Sequence, residues 1–251
     1  MSAPALEARG LSRRFGGLIA TDDVSFAVQP GARQALIGPN GAGKTTLVNL
    51  LTGVVKPSAG AVLLEGADVT ALSPARRVRR GLSRTFQINQ LFPDLSPAES
   101  LGLAISEREG TGADFWRVAG SKPSIVAEIE ELLHRFGLEE AMDQPTRALP
   151  YGKQRLLEIA LALATRPRVL LLDEPAAGVP EEERHDILAA LAALPKEVAI
   201  LLIEHDMDLV FTFATRISVL VAGRLLCEGE PAAIAADERV RAVYLGEDAH
   251  G

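Results

Sequence analysis

The run Gly38-Pro39-Asn40-Gly41-Ala42-Gly43-Lys44-Thr45-Thr46 has residue types and spacing suited to holding nucleotide phosphates. It fits G-x-x-x-x-G-K-[ST] at every fixed position and is entered from the apolar stretch Ala35-Leu36-Ile37. Glycines let the backbone wrap closely around phosphate oxygens, and the N–H groups that open the following helix point at them. Lys44 adds a positive charge for the β/γ pair, and the Thr45 hydroxyl is suited to Mg²⁺. A plain turn closing a strand would need neither the lysine nor the threonine.

Two further stretches end buried strands in titratable groups. Val169-Leu170-Leu171-Leu172 runs into Asp173-Glu174, which places two carboxylates at the strand's end. Asp173 suits an outer-sphere, water-mediated contact to Mg²⁺, and Glu174 suits polarising an attacking water. Such an ending is common alone, but beside a phosphate loop it gains meaning. Ile200-Leu201-Leu202-Ile203 runs into Glu204-His205-Asp206, where His205 is placed to reach a γ-phosphate. His134, His185 and His250 carry no such context and read as ordinary surface residues.

These groups need an alternating frame. Val24 to Val28, Gln34 to Ile37 and Ala61 to Leu64 read as short strands, with Asp22-Asp23 and Pro30-Gly31 as breaks. Lys44 to Leu51 is the helix after the loop, stopped by Gly53 and Pro57. From Ser96 to Glu140 the pattern is helical, with Ile125, Ile129, Leu132, Leu133 and Phe136 on one face. Glu107 to Pro123, which holds Trp116, has no clear period and reads as a loop or short helices with a packed tryptophan. A helix from Pro150 to Thr165, the Val169 strand, a helix from Glu181 to Leu194 and the Val198 strand then alternate. Ile217 to Val221 and Arg224 to Glu228 form a strand pair around Ala222-Gly223. This order predicts an α/β fold with a mostly parallel sheet and nucleotide at the strands' C-terminal ends.

Composition narrows the classes. The chain's 251 residues can bury a sizeable core, and its longest apolar runs are too short to span a bilayer. Met1-Ser2-Ala3-Pro4 has neither a basic nor an apolar segment, so no secretory signal is expected. The lone Cys227 cannot pair within the chain, which suits a reducing cytosol. A net charge of −7 argues against nucleic-acid binding through phosphate contacts. Arg76, Arg77, Arg79 and Arg80 read as a solvated helix face.

The phosphate loop, Arg84-Thr85-Phe86-Gln87, Leu149-Pro150-Tyr151-Gly152-Lys153-Gln154-Arg155, Asp173-Glu174-Pro175 and Glu204-His205-Asp206 come in the order of an ABC-transporter ATP-binding subunit. The resemblance covers nearly the whole chain. Phe15-Gly16-Gly17-Leu18, Leu91-Phe92-Pro93, Pro175-Ala176-Ala177-Gly178 and Val243-Tyr244-Leu245-Gly246 resemble the branched-chain amino acid uptake group, and the Arg-Thr-Phe-Gln form resembles the first of its two paired ATPases.

That resemblance implies a single ABC ATP-binding domain. It has a P-loop NTPase (RecA-like) core over 1–86 and 151–251, with an N-terminal antiparallel β subdomain and a helical signature subdomain inserted over 87–150. It implies ATP hydrolysis with Mg²⁺ held by Thr45, Gln87 and Asp173. Catalytic roles fall to Glu174, His205 and Gln87. Phe15 would stack on adenine, although the residues alone read it as core. Pro150 to Gln154 would face the ATP of a second ATP-binding subunit, the expected arrangement being a heterodimer, with a homodimer as the alternative. The other implied partners are integral-membrane permease subunits and, indirectly, a periplasmic or extracellular solute-binding protein. The chain would sit peripherally on the cytoplasmic face of the membrane. An export ATPase of the same fold and a soluble ABC ATPase are the alternative readings. The latter usually carries two ATP domains or a coiled-coil insertion, neither of which is present here.

Three positions depart from the family pattern. Its signature usually reads Leu-Ser-Gly-Gly-Gln or Leu-Ser-Tyr-Gly-Gln, and Pro150 stands at the serine, lacking both hydroxyl and N–H. Gly152 and the helix dipole remain, and Lys153 supplies charge in place of a glutamine. Pro180 stands where relatives carry Asp or Asn in the loop that crosses to the partner. In one reading the two prolines weaken the site that this chain offers its partner, which predicts an asymmetric pair; in the other, Gly152 and the helix dipole suffice and Pro150 is harmless.

Overall fold

The computed structural model describes residues 3–85, 91–110 and 122–245. In chain order its first elements are β1 (Leu6–Phe15), β2 (Leu18–Val28), β3 (Arg33–Ile37), α1 (Lys44–Thr52), β4 (Ala59–Leu64), β5 (Ala67–Asp68), α2 (Pro74–Arg79) and β6 (Leu82–Arg84). The helices α3 (Pro97–Arg108), α4 (Pro123–Arg135) and α5 (Tyr151–Ala164) follow. β7 (Val169–Asp173), α6 (Glu181–Ala192), β8 (Ala199–Ile203), α7 (Met207–Phe213), β9 (Arg216–Val221), β10 (Arg224–Gly229), α8 (Pro231–Ala236) and α9 (Glu238–Leu245) complete the chain.

Two compact units emerge. The first comprises Met1–Leu82, Arg168–Glu174 and Lys196–Gly251. It contains an antiparallel sheet ordered β2-β1-β4-β5 and most of a six-stranded sheet ordered β10-β9-β3-β8-β7-β6. In the larger sheet β3 pairs in parallel with both β8 and β9, and β8 with β7. Every residue of β7 and β8 is buried, as their continuous apolar runs require. Leu47, Val48, Leu50 and Leu51 of α1 join Leu6, Leu11, Val28, Leu171 and Leu201 in the core of this unit. Removing such side chains from water contributes roughly 25 cal/mol per Å² of apolar surface, which fixes α1 and therefore the loop that precedes it.

β1 and β2 show where local composition misleads. Asp22-Asp23 does not break a strand: both residues lie inside β2, and Asp23 takes φ +52° where the pairing register slips. The irregularity absorbs the polar pair, and its amide is held by the Ser12 hydroxyl at 2.9 Å.

Arg77 is a second correction. Rather than sitting on a solvated face, it is 1% exposed. Its guanidinium donates to the carbonyls of Leu50 (2.8 Å), Leu51 (2.5 Å), Thr70 (2.8 Å) and Leu72 (3.2 Å). Two of these carbonyls, Leu50 and Leu51, belong to the last turn of α1, where a cation is favoured, and the Leu50 carbonyl also accepts from the Gly53 amide. Burial holds the Arg77 pKa below its ordinary value, with nearby Asp68 opposing that shift.

The second unit comprises Ser83–Pro167 and Pro175–Pro195. Here α3 packs on α4 and α5, and α5 packs on α6. α5 and α6 group with the helical unit, in which α5 packs on α3, α4 and α6. Ser96 opens α3 with a reciprocal cap to Glu99. Arg108 donates to both oxygens of Glu128 (2.5 and 2.9 Å) and to the Ala164 carbonyl (2.6 Å), tying the three helices together. Among the described residues no helix is long and apolar enough to cross a membrane.

Candidate active site

The loop from Gly38 to Gly43 joins the buried end of β3 to the first turn of α1. Gly38, Gly41 and Gly43 adopt φ of +154°, +75° and +100°. At two of these positions glycine is required for space as well. A Cβ on Gly43 would lie 2.4 Å from the Ala20 carbonyl oxygen, and one on Gly38 would lie 2.1 Å from that of Leu220.

The walls pressing on the loop come from distant parts of the chain. The Gly223 amide donates to the Ala42 carbonyl, and the Asp22 amide to the Gly223 carbonyl, both at 2.8 Å. Arg224 then binds the Asp22 carboxylate (2.5 Å). The turn of the β9–β10 hairpin therefore clamps the loop between itself and β2.

α1 starts with Gly43 in a left-handed conformation, has no side-chain cap, and carries no acidic residue in its first turn. A helix start with neither a side-chain cap nor an acid in its first turn is the arrangement that attracts an anion. Lys44 reinforces it: the ammonium donates to the Gly38 carbonyl and, at 3.1 Å, to that of Pro39, so it lies over the concave side of the loop. Asn40 and Thr45 are exposed there, while Pro39 and Thr46 are half-buried and Ala42 is buried.

Asp173 is the last residue of β7 and Glu174 follows it, as expected. Asp173 is 3% exposed, whereas the Glu174 side chain is 23% exposed. Glu174 holds φ +47°, a conformation unusual for glutamate, and its amide donates to the Ile203 carbonyl at 2.8 Å. Strain of this kind persists where surrounding structure over-determines it, and here it turns the carboxylate out of the sheet. His205 Nδ1 lies 3.7 Å from Glu174 Oε1, so these two groups, 31 positions apart in sequence, share one end of the sheet.

Glu204, which reads in the sequence only as part of a motif, organises this corner. It is 1% exposed, and its carboxylate folds back to accept from the amides of His205 (2.9 Å) and Asp206 (3.2 Å). Asp206 in turn caps α7, accepting from the amides of Asp208 and Leu209 at 3.1 Å each. The available signal was an acid directly after a buried strand and one residue before a histidine. The supporting Ala222-Gly223 turn had no chemical signal.

Phe15 is not a core residue. It is 45% exposed at the end of β1, and the Arg13 guanidinium lies over its ring at 4.6 Å. An exposed ring with one face against a cation is available for stacking on the other. Gln87 lies outside the described residues, as does Trp116.

The Pro150 to Gln154 segment opens α5 in the second unit. Pro150 is the N-cap and supplies no side-chain bond. Gly152 is buried, and its amide donates to Glu183 Oε2 at 2.9 Å. Lys153 sends its ammonium to the Gly137 carbonyl at 2.7 Å, and Gln154 bonds the Leu149 carbonyl at 3.0 Å. Tyr151 is partly exposed beneath the Arg155 guanidinium, 5.2 Å from it.

Two family models match the chain: ABC transporter over residues 21–177, and branched-chain amino acid ATP-binding cassette transporter over residues 224–250. The chain is 40% identical to the high-affinity branched-chain amino acid transport ATP-binding protein BraF of Pseudomonas aeruginosa, over 98% of its own length and all of that protein. Identity to LivG of Escherichia coli K12, which bears the same description, is also 40% over 98% of this chain and 100% of LivG. Two solved ATP-binding cassettes of ABC transporters are each 30% identical to the chain. One, in an ADP conformation, superposes with a TM-score of 0.84 over 98% of this chain and 100% of its own. The other, free of nucleotide, gives 0.83 over 96% and 98%.

Proposed function

The chain belongs to the ABC transporter ATP-binding family, and from that premise we propose that it is the ATP-hydrolysing subunit of an importer for branched-chain amino acids or similar small solutes. The clamped anion cradle at α1, in the same unit as the Glu174–His205 pair, carries the catalytic half of this reading. The match over residues 224–250 and the 40% identity to BraF and LivG along nearly the full chain support the substrate class.

In this reading the loop from Gly38 to Thr46 binds the phosphates through backbone N–H groups, and Lys44 leaves its carbonyl partners to meet the β/γ oxygens. Phe15 stacks on the adenine. The exposed Thr45 hydroxyl and the Asp173 carboxylate fit Mg²⁺, with Gln87 as a further ligand. The metal supplies charge neutralisation on the phosphates. Glu174 orients and polarises the attacking water, a role worth about 10²- to 10⁴-fold in rate. His205 contacts the γ-phosphate, held in place by the turn that Glu204 fixes.

The γ-phosphate's far side is closed by a second ATP-binding subunit, and this chain offers Pro150 to Gln154 in return. Because Pro150 and Pro180 remove donors from that offer, the two composite sites are unequal. Closure drives integral-membrane permease subunits, and the solute is delivered to them by a binding protein that does not touch this chain. The chain therefore works peripherally, on the cytoplasmic face.

The test is co-purification from detergent extract followed by reconstitution. The chain should bring with it permease subunits and a second ATPase, and vesicles should take up labelled leucine or isoleucine only with internal ATP. Association with ribosomes or DNA instead, or ATP hydrolysis with no permease partner, would sink this reading.

A further inference from the structure

Two prolines stand at two helix starts. A glutamate three residues after an N-cap ordinarily reaches back to the N-cap's own N–H. Glu183 is in that position in α6, but its N-cap is Pro180, which has no N–H to offer. At α5 the complementary piece is missing: the N-cap side chain that would accept from Gly152 is absent because that residue is Pro150. The Glu183 carboxylate, lacking its local target, accepts from Gly152 at 2.9 Å and so caps the neighbouring helix.

The fit is close. A Cβ on Gly152 would fall 2.1 Å from Glu183 Oε2, so glycine here leaves room for the carboxylate. A recess of about 150 Å³ opens at this point, lined by Pro150, Gly152, Lys153, Glu183 and Asp186. That is space for several waters, each about 30 Å³. The Lys153 ammonium, whose residue also lines this recess, donates to the Gly137 carbonyl at 2.7 Å.

We infer that Glu183 is an autoinhibitory residue: its carboxylate occupies the anion position at the start of α5 and must be displaced before the phosphate of a second subunit's nucleotide can be gripped there. The inference rests on the proposed pairing of two ATP-binding subunits. Two anions cannot share one helix N-terminus without repulsion, and the acidic first turn of α6, Glu181-Glu182-Glu183, strengthens the exclusion. Nucleotide must therefore compete with an internal ligand. The pair stays open at low ATP and closes only at a higher concentration.

The experiment uses the assembled complex with reporter fluorophores on the two ATP-binding subunits, titrated with ATP. Glu183→Gln keeps the shape and an acceptor but removes the charge, and Glu183→Ala removes both. Each should lower the ATP concentration for half-maximal closure about two- to fivefold. KM for hydrolysis should fall with it, while kcat is maintained or raised. Analogue binding to the chain's own phosphate loop reports that each variant is folded. An unchanged or raised ATP requirement in both folded variants overturns the inference, because a merely structural cap would weaken α5 and impair closure. If the wild-type complex fails to close with ATP, or Lys44→Ala leaves hydrolysis intact, the proposed function itself fails.

Discussion

The starts of α1 and α5 are built from the same physics with opposite finish. Both helices present leading N–H groups at the end of a loop, and neither receives a side-chain bond from its N-cap. At α1 the cap is Gly43, the first turn has no acid, and Lys44 stands over the loop. At α5 the cap is Pro150, and a carboxylate already holds the second amide of the helix. Lys44 has loop carbonyls as neighbours and can exchange them for phosphate oxygens, whereas Glu183 must be pushed away. A positive helix end is therefore not in itself a phosphate site; what decides is whether the nearest side chain is an exchangeable cation or a resident anion.

The comparison breaks most visibly on the α1 side. Lys44→Ala or Glu174→Gln should each cut ATP turnover of the complex by on the order of 10²-fold or more, measured as steady-state phosphate release. Wild-type turnover in either variant would remove the loop or the strand end from the chemistry. Next comes the opposite end of α1. Arg77→Met strands buried carbonyls and should lower unfolding free energy by about 3 kcal/mol in denaturant titration. A loss below about 0.5 kcal/mol would mean that water satisfies those carbonyls.

Gly43→Ala should cost about 1–3 kcal/mol and weaken nucleotide binding together with it, since the new methyl meets the Ala20 carbonyl. Undiminished affinity would show that the clamp is looser than its geometry implies. On the α5 side, Pro150→Ser restores a hydroxyl able to cap Gly152 and release Glu183, and should raise turnover of the complex by about twofold, within the range of cap energies. No change there, together with no change on altering the partner's signature, would end the asymmetry argument.

The smallest expected effect lies in the helix cluster behind α5. The hydrogen bond from Arg108 holds the Glu128 carboxyl below the ordinary carboxylate range, with Arg166 adding to it. A depressed folded pKa means that the stabilisation is present above the unfolded value and is lost as pH falls through the folded one. The melting temperature of the wild type should thus drop more steeply below about pH 4 than that of Glu128→Gln.

Much of the α1 side was legible in the sequence because its requirements are local. Glycines at fixed spacing, a lysine, and apolar runs ending in acids each report on their own neighbourhood, and the structure places Asp173, Glu174 and His205 where those runs end. What was not legible depends on distant neighbours. Asp22-Asp23 reads as a break until a register slip in the paired strand accommodates it. Arg77 reads as one of four surface arginines until the carbonyls at the end of α1 surround it. Phe15 reads as core until its hairpin is seen to leave it exposed. Glu183 meets Gly152 across 31 residues, and no pattern in either helix announces the other. Pro150 and Pro180 were each visible as a loss, but that the two losses fit one another emerges only from packing α6 on α5.

The clamp on the phosphate loop has a consequence for the making of the protein. Asp22 and Gly223 are bonded to each other across 201 positions, and Gly223 also holds Ala42. A nascent chain therefore carries every residue of its loop long before the hairpin that braces it has left the ribosome. Synthesis proceeds at about 5–20 residues per second, so the gap lasts on the order of ten seconds or more. Nucleotide can stabilise only a chain whose far end has arrived, and ligand binding thereby favours finished molecules over truncated ones.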